Sequence, residues 1–324
     1  MASKKSNVNR KAIVSAQEAQ SEGNSNKNSL VSKVADGINK MYSGSAFKLD
    51  DDIDSMEVPY WIRLNIPALD YAIGGKAHPG VPAGRLIEVF GPESQGKTTI
   101  ALHIMKRTID YGGIGIYQDA EFALTDERVE QFDIDLSEVI YSQPETMEQV
   151  FESQELVIDM ISKENDEGRP VALIWDSVAS TPTQSEVDGD YGDSIMGVHA
   201  RLMSQALRKI RSKIAKQNII AIYINQIRDK MGVTYGEKTS TFGGRALKFY
   251  ASVRLEIHSI EKIKKGDDVV GIRVEVQIKK NKVAPPFKKA RFDILFEGNA
   301  GIDCVGAVLD WCKEKEFIGG STGW

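Results

Sequence analysis

Two hydrophobic periods alternate along this chain. From residue 85 onward, short apolar runs of strand length are separated by longer stretches whose apolar positions recur every three to four residues. Arg85–Phe90 predicts a strand and Lys97 to about Tyr111 a helix. Gly115–Gln118 follows as a strand and residues 146–162 as a helix. Val171–Trp175 and Ile219–Ile224 are apolar throughout, the signature of strands buried on both faces, and residues 196–217 between them form a long amphipathic helix. After residue 250 helices give way to strands at Val253–Ile257, Val269–Ile278 and Phe292–Phe296. The alternation predicts an α/β fold: a mainly parallel, doubly wound sheet extended by antiparallel strands. Further upstream, Leu30, Val31, Val34, Ile38 and Met41 fall at helical spacing. This short helix must cover its stripe either on its own domain or on a neighbouring subunit.

Residues 1–28 are rich in Ser, Asn, Lys and Gln and read as a tail that cannot bury enough surface to order itself. The expected organisation is that tail, an N-terminal helix and linker at 29–66, a core at 67–298 and a smaller C-terminal segment at 299–324. Forty-one basic and forty-six acidic residues give a net charge of −5, which argues against electrostatic wrapping of nucleic acid but not against a local basic surface. The cysteines, Cys304 and Cys312, are eight apart and fit neither a redox pair nor a zinc site. No apolar run is long enough to span a membrane and no secretory leader is evident, so a soluble cytoplasmic protein is expected.

Gly91-Pro92-Glu93-Ser94-Gln95-Gly96-Lys97-Thr98 satisfies G-x-x-x-x-G-K-[ST] and sits between a predicted strand and a predicted helix. Triphosphate oxygens need several inward-pointing backbone N–H groups, and glycine permits the close loop that supplies them. Lys97 would reach the β- and γ-phosphates and Thr98 would hold Mg²⁺. Asp176, at the end of an apolar strand, suits the same metal. A nucleotide hydrolase also needs a group beside the attacking water. Asp119 or Glu121 would serve, unless both merely cap a helix. Asn225-Gln226 ends another buried strand and fits either a phosphate sensor or a simple turn.

These residues resemble the bacterial RecA recombinases. The matching blocks are GPESQGKTT (91–99), DAEFAL (119–124), SQPET (142–146), DSVA (176–179) and GDSIMG (192–197). They continue through MSQALRK (203–209), INQIRDKMGV (224–233), GGRALKFYASVRL (243–255) and KKNKVAPPFKKA (279–290), in the family's order and nearly its spacing. The resemblance implies a DNA-dependent ATPase with ATP and Mg²⁺ as cofactors, which forms a helical filament of its own copies on single-stranded DNA, pairs that strand with duplex DNA and exchanges strands. It implies Glu121 as the catalytic carboxylate, Gln226 as the γ-phosphate sensor, and Gly91 to Thr99 as the nucleotide cradle. Lys248, Phe249, Arg254, Lys280 and Lys282 are implied to act on the nucleotide of an adjacent subunit.

The resemblance further implies DNA-binding loops at about 186–197 and 227–242. Met196 and Met231 would insert between bases, Arg201, Arg208 and Arg228 would take phosphates, and Gly243 and Gly244 would offer backbone N–H groups. It also assigns the helix near 30–42 to subunit docking. Thr125 and Arg128 depart from the residues usual around the adenine, and the polar loop near 163–169 is longer than usual. Gly306–Phe317 supplies one helix of a C-terminal lobe expected here in truncated form. A ring-forming helicase-like motor and an ATP- and DNA-binding assembly protein with little turnover are the competing readings.

Overall fold

The computed structural model describes residues 30–43, 45–46, 58–190, 197–229, 239–298 and 300–319. The chain divides into two units, residues 1–57 and 58–324. In the first, residues 30–41 form helix α1, as the apolar spacing predicts. Leu30, Val31, Val34, Ile38 and Met41 are all exposed, and Asn39 closes the helix end by pairing with both backbone groups of Ala46.

The second unit opens with β1 (Trp61–Ile62), α2 (Pro67–Gly74) and β2 (Val81–Pro82). The α/β alternation follows: β3 (Arg85–Gly91), α3 (Lys97–Asp110), β4 (Ile114–Asp119), α4 (Asp126–Glu130), β5 (Val139–Ser142), α5 (Met147–Glu164) and β6 (Val171–Asp176). Next come α6 (Gln184–Val187), α7 (Val198–Lys216), β7 (Ile219–Asp229), β8 (Thr239–Thr241) and α8 (Gly244–Tyr250). The antiparallel part contains β9 (Val253–Lys265), β10 (Asp268–Asn281), β11 (Lys289–Leu295) and β12 (Gly301–Ile302), and α9 (Cys304–Glu314) closes the unit.

The main sheet runs β12-β11-β10-β9-β3-β7-β6-β4-β5. From β9 to β5 every pairing is parallel, and β10, β11 and β12 add antiparallel strands on one side. Side-chain alternation divides two cores between the faces. On β6 and β7, Ala172, Ile174, Ile220, Ile222 and Ile224 pack on the α3 side with Ile100, Leu102 and Met105. Val171, Leu173, Trp175, Ala221 and Tyr223 pack on the other side against α5 and α7, through Val150, Phe151, Leu207 and Ile210. Both strands therefore read as unbroken apolar runs.

Strand β7 continues five residues past the expected Ile224, because Ile227, Arg228 and Asp229 pair antiparallel with Thr241, Ser240 and Thr239 of β8. These residues are polar and mixed, so the pattern hides them. β9 and β10 likewise outrun their apolar segments, forming a long ladder whose outer half is largely exposed. The core reaches beyond the expected 67–298. Ile62, Leu64 and Ile66 are fully buried, and Ala307 of α9 packs into the same cluster.

Candidate active site

Parallel register brings four strand ends to one edge of the sheet. Gly91 of β3 lies opposite Gln226 of β7, and Asp119 of β4 opposite Asp176 of β6. In doubly wound folds this carboxyl edge, where the strand order reverses, receives the ligand. The loop from Gly91 to Gly96 lies between β3 and α3. Gly96 takes φ of +88°, which only glycine adopts freely, and a Cβ on Gly91 would stand 2.3 Å from the Ile257 carbonyl oxygen. That second glycine is required by the close approach of β9 as well as by any ligand.

Lys97 begins α3 and donates from Nζ to the Pro92 carbonyl across the loop, 2.6 Å. Burial pushes its pKa down, while Asp176, Glu121 and Glu93 oppose that shift. Thr98 Oγ1 donates to Asp176 Oδ2 at 2.7 Å, and the Tyr117 hydroxyl donates to the same oxygen at 2.7 Å. Asp176 is nearly buried, and desolvation raises its pKa above the ordinary carboxylate value. The Thr98 hydroxyl and the Asp176 carboxylate, in contact with each other, are hard oxygen donors of the kind suited to Mg²⁺. Among the described residues no cluster of three or more His, Cys, Asp or Glu surrounds a metal position.

The structure separates the two carboxylates that the sequence left as alternatives. Asp119 is buried and fully engaged. Its oxygens accept the backbone N–H groups of Glu121, Ala123 and Leu124 at 3.1, 3.0 and 2.9 Å and the Tyr141 hydroxyl at 2.9 Å. Glu121 rides exposed on the turn so anchored, and Ser177 Oγ donates to its Oε1. Asp119 builds the turn and Glu121 is presented by it. Thr125 and Arg128 flank the start of α4, where the Thr125 carbonyl accepts the Arg128 N–H at 3.0 Å.

Gln226 is half-buried, and the Asn225 side chain accepts its N–H at 2.9 Å. Asn225 Nδ2 donates to Glu88 and to the Phe242 carbonyl, each at 3.0 Å. Glu88 also accepts Arg254 Nε, whose guanidinium covers the Phe90 ring at 4.3 Å. Sequence reasoning assigned no role to Tyr117, to Ser177 although it lies in the block DSVA, or to Asn225's partners Glu88 and Phe242. Only the charged Glu88 within an apolar strand could have signalled a buried partner.

Of the residues implied to act across subunits, Arg254 is buried in its pair with Glu88, with Nη2 left unpartnered. Phe249 is exposed. Lys280 donates to the Lys248 and Phe249 carbonyls at 2.6 and 2.8 Å, and Lys282 Nζ lies 5.9 Å from the Phe249 ring centre. These groups gather at the carboxyl end of α8, by the beginning of β9, whereas the Lys97 loop follows the end of β3.

Arg201 and Arg208 lie exposed, two turns apart on α7. Arg228 stacks on Phe242 with its guanidinium carbon 3.5 Å from the ring centre. Arg228, Gly243 and Gly244 line a polar cavity of about 530 Å³ with His199 and Glu186. Met196 and Met231 lie outside the described residues.

Residues 30–303 match the family model described as the RecA N-terminal domain. The chain is 44% identical over 303 residues to Protein RecA of Clostridium beijerinckii, covering 93% of this chain and 80% of that protein. It is 40% identical over 315 residues to Protein RecA of Chloroherpeton thalassium, with coverages of 97% and 84%, and 44% over 281 residues to that of Clostridioides difficile, with 87% and 77%. Neither a helicase-like motor nor a low-turnover assembly protein is favoured by these matches. A site built on a phosphate loop at the carboxyl edge, within a chain matched over most of its length, leads to one conclusion: this chain belongs to the RecA family of recombinases, DNA-dependent ATPases of recombination and repair.

Proposed function

We propose that this chain polymerises on single-stranded DNA in its ATP state and catalyses homologous pairing and strand exchange, hydrolysing ATP at a site that a neighbouring subunit completes. The observation that carries the reading is the convergence of Lys97, Thr98, Asp176, Glu121 and Gln226 on one sheet edge. The loop Gly91-Pro92-Glu93-Ser94-Gln95-Gly96-Lys97-Thr98-Thr99 cradles the phosphates, with backbone N–H groups and the α3 N-terminus facing the anion. Thr98 and Asp176 hold Mg²⁺, which when bound polarises the phosphoryl oxygens.

Glu121 accepts the proton of the attacking water; with Oε1 engaged by Ser177, Oε2 is the oxygen available for it. Attack on the γ-phosphorus breaks its bond to the β–γ bridging oxygen and releases ADP and phosphate. Gln226 senses the γ-phosphate immediately before the DNA loop at 227–242, whose two ends pair as the last residues of β7 and β8. Lys280 and Lys282, with Lys248, Phe249 and Arg254 around them, meet the nucleotide of the next subunit, so the developing charge is stabilised only after assembly. The apolar stripe of α1 docks on a neighbouring copy.

Arg201, Arg208 and Arg228 take DNA phosphates beside Gly243 and Gly244, while Met196 and Met231 insert between bases. Such contacts are sequence-tolerant, as a homology search requires. The location is the cytoplasm; among the described residues no helix is long and apolar enough to cross a membrane.

The test is ATP hydrolysis with and without long single-stranded DNA. DNA should stimulate turnover strongly, and Glu121→Gln should abolish hydrolysis while preserving ATP-dependent DNA binding. Hydrolysis indifferent to DNA, or parental turnover by Glu121→Gln, would overturn the reading.

A further inference from the structure

A second pocket, of about 300 Å³, opens at the sheet edge opposite the Lys97 loop. Arg85 at the start of β3, Arg211 on α7 and Lys282 after β10 all line it, with Tyr250 and Ser252 supplying hydroxyls and Leu207 and Ile214 an apolar wall. No lining residue is acidic. Arg85 donates one guanidinium N–H to the Gly84 carbonyl at 3.0 Å. Among the described residues no carboxylate forms an ion pair with Arg85, Arg211 or Lys282. The nearby acid, Glu88, is already committed to Arg254 and Asn225. Like charges held in one partly desolvated recess repel one another, and the Gly84 carbonyl on Arg85 and the Phe249 carbonyl 3.5 Å from Lys282 are neutral acceptors that leave the positive charge uncompensated. The Arg211 charge depresses the pKa of both Arg85 and Lys282, in addition to the larger effect of burial. Such a recess is balanced by an anion, and guanidinium forks match tetrahedral oxyanions better than any other side chain.

We propose that this pocket is a second anion site, in which Arg85, Arg211 and Lys282 bind a phosphate-class oxyanion. Five residue rises along β3 carry the chain from Leu86 to Gly91, roughly 16 Å, so the pocket is distinct from the nucleotide cradle of the same subunit. The phosphoryl group comes either from free phosphate or from the nucleotide held by a second copy of this chain. Only the second source depends on the filament reading above.

Leu207 and Ile214 provide local reporters. In DNA-free, dispersed protein with labelled methyl groups, inorganic phosphate should shift the Leu207 and Ile214 signals saturably, independently of any change at Ile100 beside the nucleotide loop. Arg211→Gln should weaken that response about tenfold or more, and Arg211→Lys should restore part of it. Thermal unfolding without phosphate verifies that the variants fold.

If free phosphate does not move these methyls, the neighbour's nucleotide is the source. Arg211→Gln should then raise the ATP concentration for half-maximal DNA-stimulated hydrolysis by a similar factor, without changing ATP binding to dispersed subunits. Parental behaviour of Arg211→Gln in both experiments overturns the proposal. Loss of hydrolysis in Glu121→Gln with the methyl response intact would leave it standing.

Discussion

Replacing Asp119 by Ala removes four hydrogen bonds at once: three from the backbone of the turn carrying Glu121 and one from Tyr141. A hydrogen bond to a charged group contributes about 1.5–3 kcal/mol, but the turn around Phe122 is exposed, so its freed N–H groups regain water. The net loss should be about 2–4 kcal/mol, and in a folded unit of this size that lowers the melting temperature by about 4–10 °C. At 25 °C the variant remains folded, and the informative change is kinetic. Without its anchor the turn no longer fixes Glu121, and misplacement by about 1 Å costs on the order of a hundredfold in kcat. Lys97 and Thr98 belong to a different loop, so ATP affinity should stay within about threefold of the parent. Single-turnover hydrolysis on single-stranded DNA, equilibrium nucleotide binding and calorimetric unfolding separate these effects. A lowered melting temperature with parental kcat would refute the reasoning, because Asp119 would then anchor the fold without positioning Glu121.

Three further outcomes are expected. Glu88→Ala strands the Arg254 guanidinium in the sheet and should cost about 3–5 kcal/mol in urea unfolding, far more than a surface substitution. Burial and the neighbouring Lys282 bring the pKa of Lys280 down to about 8, so its ammonium is charged below that pH and neutral above it. If it meets a neighbour's phosphate, DNA-stimulated hydrolysis should fall as pH rises through about 8, and Lys280→Arg, which stays charged, should flatten that limb of the profile. Val34→Asp with Ile38→Asp on α1 should abolish self-association in sedimentation while leaving nucleotide binding intact; unchanged assembly would remove α1 from the interface.

Legibility in the sequence followed physical scale. The buried strands β6 and β7 and the loop from Gly91 to Thr98 were readable because double-sided burial and phosphate cradling both impose local patterns. Strand β8 was not, since three polar residues pair only because β7 extends to meet them. Local chemistry left Asp119 and Glu121 open, the family resemblance pointed to Glu121, and the structural part played by Asp119 became visible only in three dimensions. Two carboxylates two residues apart have the same local chemistry, and only the backbone N–H groups folding back onto Asp119 assign it to structure. Ser177 was invisible for a related reason: its role is fixed by a contact with a residue fifty-six positions away. Arg254 adds a role that no local pattern carries: the residue singled out for contacts with a neighbour also pairs through Nε with Glu88 in its own sheet.

The arrangement of the sheet explains why hydrolysis should depend on assembly. Parallel strands put every carboxyl end on one edge, so Lys97, Asp176, Glu121 and Gln226 gather there without long-range coordination. The same geometry puts the start of β9 and the end of α8 on the opposite edge, and Lys280 and Lys282 are tethered there by the last carbonyls of α8. A lysine side chain spans only about 6 Å, much less than the roughly 16 Å of strand between the two edges. Neither amine can therefore reach the nucleotide of its own subunit. If copies stack head to tail as proposed, one subunit's lysine edge would meet the next subunit's phosphate edge, a heterologous contact that builds an open filament where the rotation does not close. On the proposed reading, an open filament and a shared ATP site would be two consequences of one sheet with cations at one end and a phosphate cradle at the other.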